Sequence, residues 1–289
     1  MTAPLHVVVD GGLDDALALA VLVGLDHPIE QVIATEGSID LATTASVTQR
    51  LMTTLGSPVP VRLGADRGIL GPYPEGRDPF HGPDGFGSRA SALLPATTPT
   101  GRFQRLDAPV LCTGALTTVA LALRAGHSVS EVTWMGGSVA LGGNMTPAAE
   151  FNAWMDPTAA DDVLTSGVPV RMVPLDVTTR FVWSSAELDA LGAAGRLGAI
   201  YSEAIGFAHT RDGRFLPHDA VTAVALVRPD LFVWTGCSVR CETSGGPSCG
   251  ATIIDRDRED GRSHVMVAED VMVAEVTEEI LGAVARLGP

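Results

Sequence analysis

The chain has 289 residues, of which 46% are hydrophobic, and a formal net charge of −15. The length suits one large domain with a sizeable core. The acidity argues against DNA or RNA as a partner, because phosphate binding needs clustered Lys and Arg. No uninterrupted apolar run reaches the ~18 to 20 residues that cross a bilayer, so no membrane partner is expected.

Taken in chain order, short β-branched runs alternate with Ala/Leu-rich helical runs. "LHVVVD" reads as a buried strand and "DDALALAVLVGL" as a helix with acids in its first turn. "EQVIATEG" reads as a strand, and "LATTASVTQRLMTTLG" as a helix ending at Gly56. "VPVRLG" and "APVLCTG" are strands, "ALTTVALALRAG" a helix, "EVTWMGG" a strand, "TAADDVLTSG" a helix and "VPVRMVPLD" a strand. Gly64 to Arg102 reads as long loops with short helices, and Cys237 to Arg262 as a second irregular stretch. The βαβα order predicts an α/β fold with an open, mostly parallel, Rossmann-like sheet flanked by helices. One domain covering residues 1–289 is expected. No basic segment followed by an apolar one opens the chain, so no signal peptide is expected. Cys112, Cys237, Cys241 and Cys249 have no nearby His to complete a zinc pattern, and a reduced, cytoplasmic protein is expected.

Open α/β sheets bind ligands beyond the carboxyl ends of their strands. The residues just past each strand therefore carry information. They are Asp10, then Glu36-Gly37-Ser38, Thr113-Gly114, Met135-Gly136-Gly137 and Leu175-Asp176. Five ends rich in Gly and acids at one edge predict a pocket at the C-terminal edge of the sheet. Asp10, Asp14 and Asp15 lie within six residues, around a glycine turn. Such a set suits a hard divalent cation such as calcium, which takes carboxylate and carbonyl oxygens in a flexible shell. The same residues also suit simple N-capping of the helix. "GNMTPAAEFNAWMDP" gathers Asn144, Glu150 and Asn152, which suits a polyhydroxylated ligand such as a sugar, or an ordinary surface loop. "RFLPHDAVTAVAL" places His218 and Asp219 before an apolar helix, where Asp219 could be its cap and His218 a solvated histidine.

Together these stretches resemble the inosine-uridine-preferring nucleoside hydrolase family. "VVDGGLDDALAL" is similar to that family's DTDPGxDDAxAL, "HGPDGFG" from His81 to its HGxxG loop, and "TGALTTVALAL" from Thr113 to its TGPLTNxAxAL. "MGGSVALGGNMTPAAEFNAWMDPTAA" from Met135 is the most specific match, joined by "LDVT" from Leu175 and the late His218-Asp219. The resemblance implies hydrolysis of the N-glycosidic bond of ribonucleosides to ribose and free base, with one calcium ion. It implies that Asp10, Asp15, Asp219 and the Thr113 carbonyl hold the calcium, and that Asp10 is the general base on a calcium-bound water. It further implies that Asp14, Asn144, Glu150, Asn152 and Asp219 hold the ribose hydroxyls and that Met135 lines the sugar pocket. His218 and His81 would lie near the base, with His218 as the acid for the departing nitrogen. "YSEAIGFAHTRDGRFLPHD" would form a flap over the base, with His209, Arg211 and Arg214 nearby. The family is commonly dimeric or tetrameric, so a homodimer or homotetramer is implied.

Four positions depart from the pattern. Val8 stands where the family usually has an acid, Gly11 where it has Pro, Thr118 where it has Asn, and Ser38 where it has an Asn that orients water and sugar. Two functions therefore compete: a ribonucleoside hydrolase, and a calcium-containing nucleoside- or ribose-binding protein with little turnover. A phosphotransferase built on the acidic strand end fits poorly, because a second acid two residues after the nucleophile and a basic phosphate clamp are missing.

Overall fold

A computed structural model describes residues 3–57, 59–75, 80–256 and 265–288, without the side chains of 208, 209, 211 and 212. The strands are β1 Leu5–Val9, β2 Ile29–Ala34, β3 Val61–Leu63, β4 Val110–Cys112, β5 Val132–Met135 and β6 Val170–Val173, then β7 Phe232–Cys241, β8 Thr252–Asp255 and β9 Val265–Val271. They form one sheet in the order β3-β2-β1-β4-β5-β6-β9-β7-β8. All pairs from β3 to β9 across that order are parallel, whereas β7 runs antiparallel to both β9 and β8.

The first half of the chain supplies α1 Leu13–Gly24, α2 Leu41–Thr54, α3 Thr117–Arg124, α4 Phe151–Met155 and α5 Pro157–Leu164. The second supplies α6 Leu175–Thr178, α7 Ser185–Gly192, α8 Gly195–Asp212, α9 His218–Val227 and α10 Val273–Arg286. The fully buried central strand β1 presents Val7 and Val9 to one face and Val8 to the other. This is the signature of a parallel strand covered on both sides. One core lies under α1, α9 and α10 and includes Leu17, Val221 and Ile280. The other lies under α3 and α5 and includes Val8, Cys112, Trp134 and Val163. Val8, which departs from the pattern set out above, is 0% exposed and faces hydrocarbon.

The stretch Cys237 to Arg262 is not irregular where it is described. Its beginning completes β7, and β8 comes after a turn through Ser244 to Gly250. Pairing on both sides of β7, with β8 and with β9, overrides a sequence rich in Gly, Ser and Arg. Gly64 to Arg102 is mostly loop, with one 3-10 turn at Ala90–Ala92 among the described residues. The order β3-β2-β1-β4-β5-β6 reverses direction between β1 and β4. A crevice opens at such a reversal, outside the carboxyl ends of the two strands. Asp10 and Thr113 stand directly past those two ends.

Candidate active site

Asp10 is the first residue after β1 and is 4% exposed. Gly37 lies against it: a Cβ on Gly37 would sit 2.2 Å from Asp10 Oδ2. The absence of a side chain at position 37 is what lets the carboxylate occupy the crevice. Gly11 has φ +92°, which a proline ring forbids. A proline at position 11 could not adopt this turn.

Asp14 and Asp15 occupy the first turn of α1 and are 7% and 2% exposed. Capping accounts for one carboxylate oxygen only. The N-cap is Gly12, whose N–H donates to Asp15 Oδ2 at 2.7 Å. The other Asp15 oxygen accepts from the Thr113 hydroxyl. Asp10 and Asp14 are not caps, and neither is Asp219, because α9 starts after Pro217 with no side-chain cap. Asp219 is 4% exposed. Among the described residues, carboxylate oxygens of Asp14, Asp15 and Asp219 lie within 4.8 Å of one another. Asp10 adjoins this trio through Asp15. Burial pushes all four carboxyl groups above their ordinary value. For Asp10 and Asp219 the neighbouring carboxylates add to the rise.

A second polar wall comes from the segment after β5. Glu150 caps α4 and accepts from Gly137 N at 2.8 Å, Asn152 N at 2.8 Å and Ala153 N at 3.1 Å. Burial at 1% exposure nevertheless pushes its carboxyl up to about 7. Asn152 Nδ2 donates to the Thr113 carbonyl at 2.9 Å and to the Met135 carbonyl at 3.0 Å. Asn152 Oδ1 is buried with no partner. Asn144, which is exposed, accepts from Phe151 N at 2.9 Å and so ties its loop to α4.

Two histidines face this acidic floor. His218 opens α9, and its Nδ1 lies 2.7 Å from the Thr178 hydroxyl, which leaves Nε2 for a ligand. Burial lowers its pKa, and Asp14 opposes that shift. His81 Nδ1 accepts from the Leu13 N–H at 3.0 Å and lies 3.8 Å from Asp14 Oδ1. It thereby serves the start of α1, where Gly12 has no side chain to do so.

A cavity of about 390 Å³ joins these groups. It is lined by Asp10, Asp14, Thr113, Glu150, Asn152 and Asp219 at depth, with Ser38, His81, Met135, Asn144 and His218 around them. All the expected site residues except Asp15 line it, and Asp15 lies in the carboxylate trio. Sequence reasoning missed Phe80, Met145, Phe151 and Leu216, which with Arg214 complete the lining, and Thr178, which holds His218. Thr178 lies within "LDVT", so the motif contained the signal without its role. The expected flap divides in two: its first part belongs to α8, and residues 213–217 connect it to α9, with Arg214 and Leu216 on the cavity wall and Phe215 bridged to Trp183. The side chains of His209 and Arg211 lie outside the described residues. Thr118 is buried and accepts from Ala65 N at 3.0 Å, so it ties the loop after β3 to α3 rather than lining the cavity. A larger cavity of about 450 Å³ lies behind the Thr146-Pro147 loop. Its carboxylate, Asp156, is already committed to Ile69 N, Ala159 N and the Thr117 hydroxyl.

The donor set fits a hard divalent cation. It offers only oxygens and holds several buried carboxylates, a free amide oxygen at Asn152 and no arginine at its depth. Buried carboxylates that are neither paired nor metal-bound are otherwise costly.

Comparison with known proteins converges on one group. The chain is 32% identical over 275 residues to a non-specific ribonucleoside hydrolase, RihC, of Salmonella paratyphi A, which covers 88% of this chain and 90% of that protein. In fold it matches a plant nucleoside hydrolase with a TM-score of 0.90 at 24% identity, covering 99% of both chains. It also matches the purine-preferring ribonucleoside hydrolase of Gardnerella vaginalis with a TM-score of 0.87 at 23% identity, covering 98% of both chains. The family model described as inosine-uridine preferring nucleoside hydrolase matches residues 6–278, and this chain belongs to that family of enzymes.

Proposed function

We propose that the chain hydrolyses the N-glycosidic bond of ribonucleosides to ribose and free base, and that its cation is calcium. The observation that carries this reading is a single cavity with a floor of buried carboxylates and one amide, bordered by a histidine held through one ring nitrogen. A sugar with vicinal hydroxyls and a departing ring nitrogen match those two parts.

Asp10, Asp15, Asp219 and the Thr113 carbonyl would hold the calcium. When bound, it supplies positive charge that acidifies a water and orients hydroxyl groups. Asp10, buried on the cavity floor beside Asp15, would take the proton from the attacking water. Asp14, Asn144, Glu150, Asn152 and Asp219 hold the ribose hydroxyls, with Ser38, His81 and Met135 lining the sugar and base. His218, held by Thr178, offers a proton to the departing nitrogen through Nε2. The anionic floor also favours the positive charge that develops on the sugar as the bond breaks. It disfavours nucleotides, whose phosphates it repels.

A nucleoside-binding protein with little turnover is the second reading. Ser38 on the cavity wall, in place of an Asn that would orient water, favours it. We read the chain as one domain over residues 1–289, a homodimer or homotetramer, and cytoplasmic. Its cysteines are free, which suits a reducing compartment. Ribose release from purine, pyrimidine and nicotinamide ribosides, with and without a chelator, tests the function. Chelator-sensitive release supports the hydrolase. Absence of release from every riboside, with calcium found by elemental analysis, supports the binding protein.

A further inference from the structure

His218 borders the cavity, and its ring has two edges of different chemistry. A neutral imidazole carries one N–H and one bare nitrogen, and the partner of one nitrogen decides what the other presents. Here Nδ1 lies 2.7 Å from the Thr178 hydroxyl. A hydroxyl can donate or accept, so that distance alone leaves the hydrogen on either nitrogen.

The surroundings of Thr178 decide it. Thr178 is 0% exposed, so its hydroxyl hydrogen has no access to bulk water. A helical threonine often donates to the carbonyl four residues back. Thr179 does so to the Leu175 carbonyl at 2.6 Å, and Thr222 to the His218 carbonyl at 3.0 Å. Thr178 does not: among the described residues its hydroxyl meets only His218 Nδ1. If Nδ1 carried the ring hydrogen, the Thr178 O–H would be left buried without an acceptor, which is costly. If the hydroxyl donates instead, both groups are satisfied and the ring hydrogen sits on Nε2.

The support under Thr178 is firm. Thr178 closes α6, a single turn packed against α9. Leu175 N donates to the Gly137 carbonyl at 3.0 Å, and Asp176 accepts from Val139 N at 2.6 Å and Ala140 N at 2.8 Å. The turn that bears Thr178 is thereby tied to the segment after β5, which supplies Glu150 and Asn152 to the cavity. A carboxylate in place of the hydroxyl would accept from Nδ1 and put the hydrogen on the other edge.

We propose that Thr178 is a positioning residue, whose hydroxyl donates to His218 Nδ1 and so keeps the ring hydrogen on Nε2, directed at the nitrogen of the departing base. The placement of the hydrogen follows from the contacts of Thr178, whereas its use in catalysis rests on the hydrolase function proposed above.

The test joins NMR to kinetics on the calcium-loaded protein. Long-range proton–nitrogen correlation spectra of the histidine side chains, with His218 identified by the loss of its signals in H218Q, report which nitrogen carries the hydrogen in the neutral ring. The wild type should show it on Nε2. T178V lacks the hydroxyl and should lose that preference, while T178S keeps it. In T178V, kcat on inosine or uridine should fall by about 10-fold to 100-fold, as when other residues that orient a working histidine are removed. KM should change little, release from p-nitrophenyl riboside should fall far less, and T178S should restore turnover of the natural nucleosides. A wild-type ring with its hydrogen on Nδ1 overturns the proposal, even where T178V fails to fold. So does a T178V ring that keeps Nε2–H, and so do equal losses on inosine and p-nitrophenyl riboside, which would mark Thr178 as packing only. Absence of release from every riboside by the wild type would defeat the hydrolase reading instead, and the spectra would still decide where the hydrogen sits.

Discussion

Removing divalent cations is expected to destabilise the protein at neutral pH and to leave it most stable when mildly acidic. The oxygens of Asp14, Asp15 and Asp219 lie within 4.8 Å of one another. At an effective dielectric constant near 20, each ionised pair at that distance costs about 3.5 kcal/mol, or about 10 kcal/mol for the three pairs. A whole domain of this kind is stable by only about 5–15 kcal/mol. Without a cation, the cluster therefore keeps protons, in line with the raised carboxyl groups of Asp10, Asp14, Asp15 and Asp219. A carboxyl raised above its unfolded value stabilises the fold fully below the unfolded pKa, and that contribution is lost as pH rises through the folded pKa. For Glu150 the window runs from its ordinary 4.5 to about 7. Cation binding needs the deprotonated forms, so its stabilisation grows over the window in which the cation-free fold weakens. Calcium at a hundred times its dissociation constant contributes about 2.7 kcal/mol, which for a chain of this length is about 4 °C in Tm. Thermal melts in chelator and in calcium, from about pH 5 to about pH 8, measure both effects. Coincident melts at every pH, or a chelated protein that gains stability towards alkaline pH, would refute the reasoning.

Other substitutions probe the individual groups. Asp10→Asn is expected to lower kcat by about 10² to 10⁴ without lowering Tm in chelator, because it removes a buried ionisable group; near-normal turnover would remove Asp10 from the base role. Gly37→Ala places a Cβ 2.2 Å from Asp10 Oδ2. The displaced carboxylate should cost on the order of 10²-fold in kcat while circular dichroism stays native, and unaltered kinetics would mean that the crevice absorbs the methyl. His218→Ala should impair natural nucleosides more than p-nitrophenyl riboside, whose leaving group needs no proton; equal losses in steady-state assays would exclude the acid role.

How much could be read without coordinates differs from element to element. The strands β1 to β6 were visible because buried parallel strands are runs of β-branched residues, and Val7, Val8 and Val9 are all buried. β7 and β8 were not visible, because "VWTGCSVRC" alternates between buried and exposed positions and includes Gly and Arg. Asp10, Asp14 and Asp15 were conspicuous because they share one turn. Whether they cap a helix depends on which oxygen meets which N–H, and only Asp15 does so. Thr178 and His218 are 40 residues apart, and no local pattern joins them. Arg214 was noticed in the sequence, but its direction depends on a bridge to Trp183, a contact distant along the chain.

The packing of α1 has a consequence for the order of assembly. This helix is buried along almost its whole length, against α9 on one side and α10 on another, with Gly24 so near Ala283 that a Cβ would lie 2.1 Å from its carbonyl oxygen. A growing chain that has emerged through β6 can already pair β3-β2-β1-β4-β5-β6. At that stage α1 lacks the cover of α9 and α10, and Asp219 is not yet beside Asp14 and Asp15. Only the arrival of α9 seals the helix and carries Asp219 to the other acids. The like-charge repulsion is thus met at a late folding step, after most of the sheet has formed. A divalent cation present at that moment would offset that repulsion, joining the first helix to one that arrives some two hundred residues later.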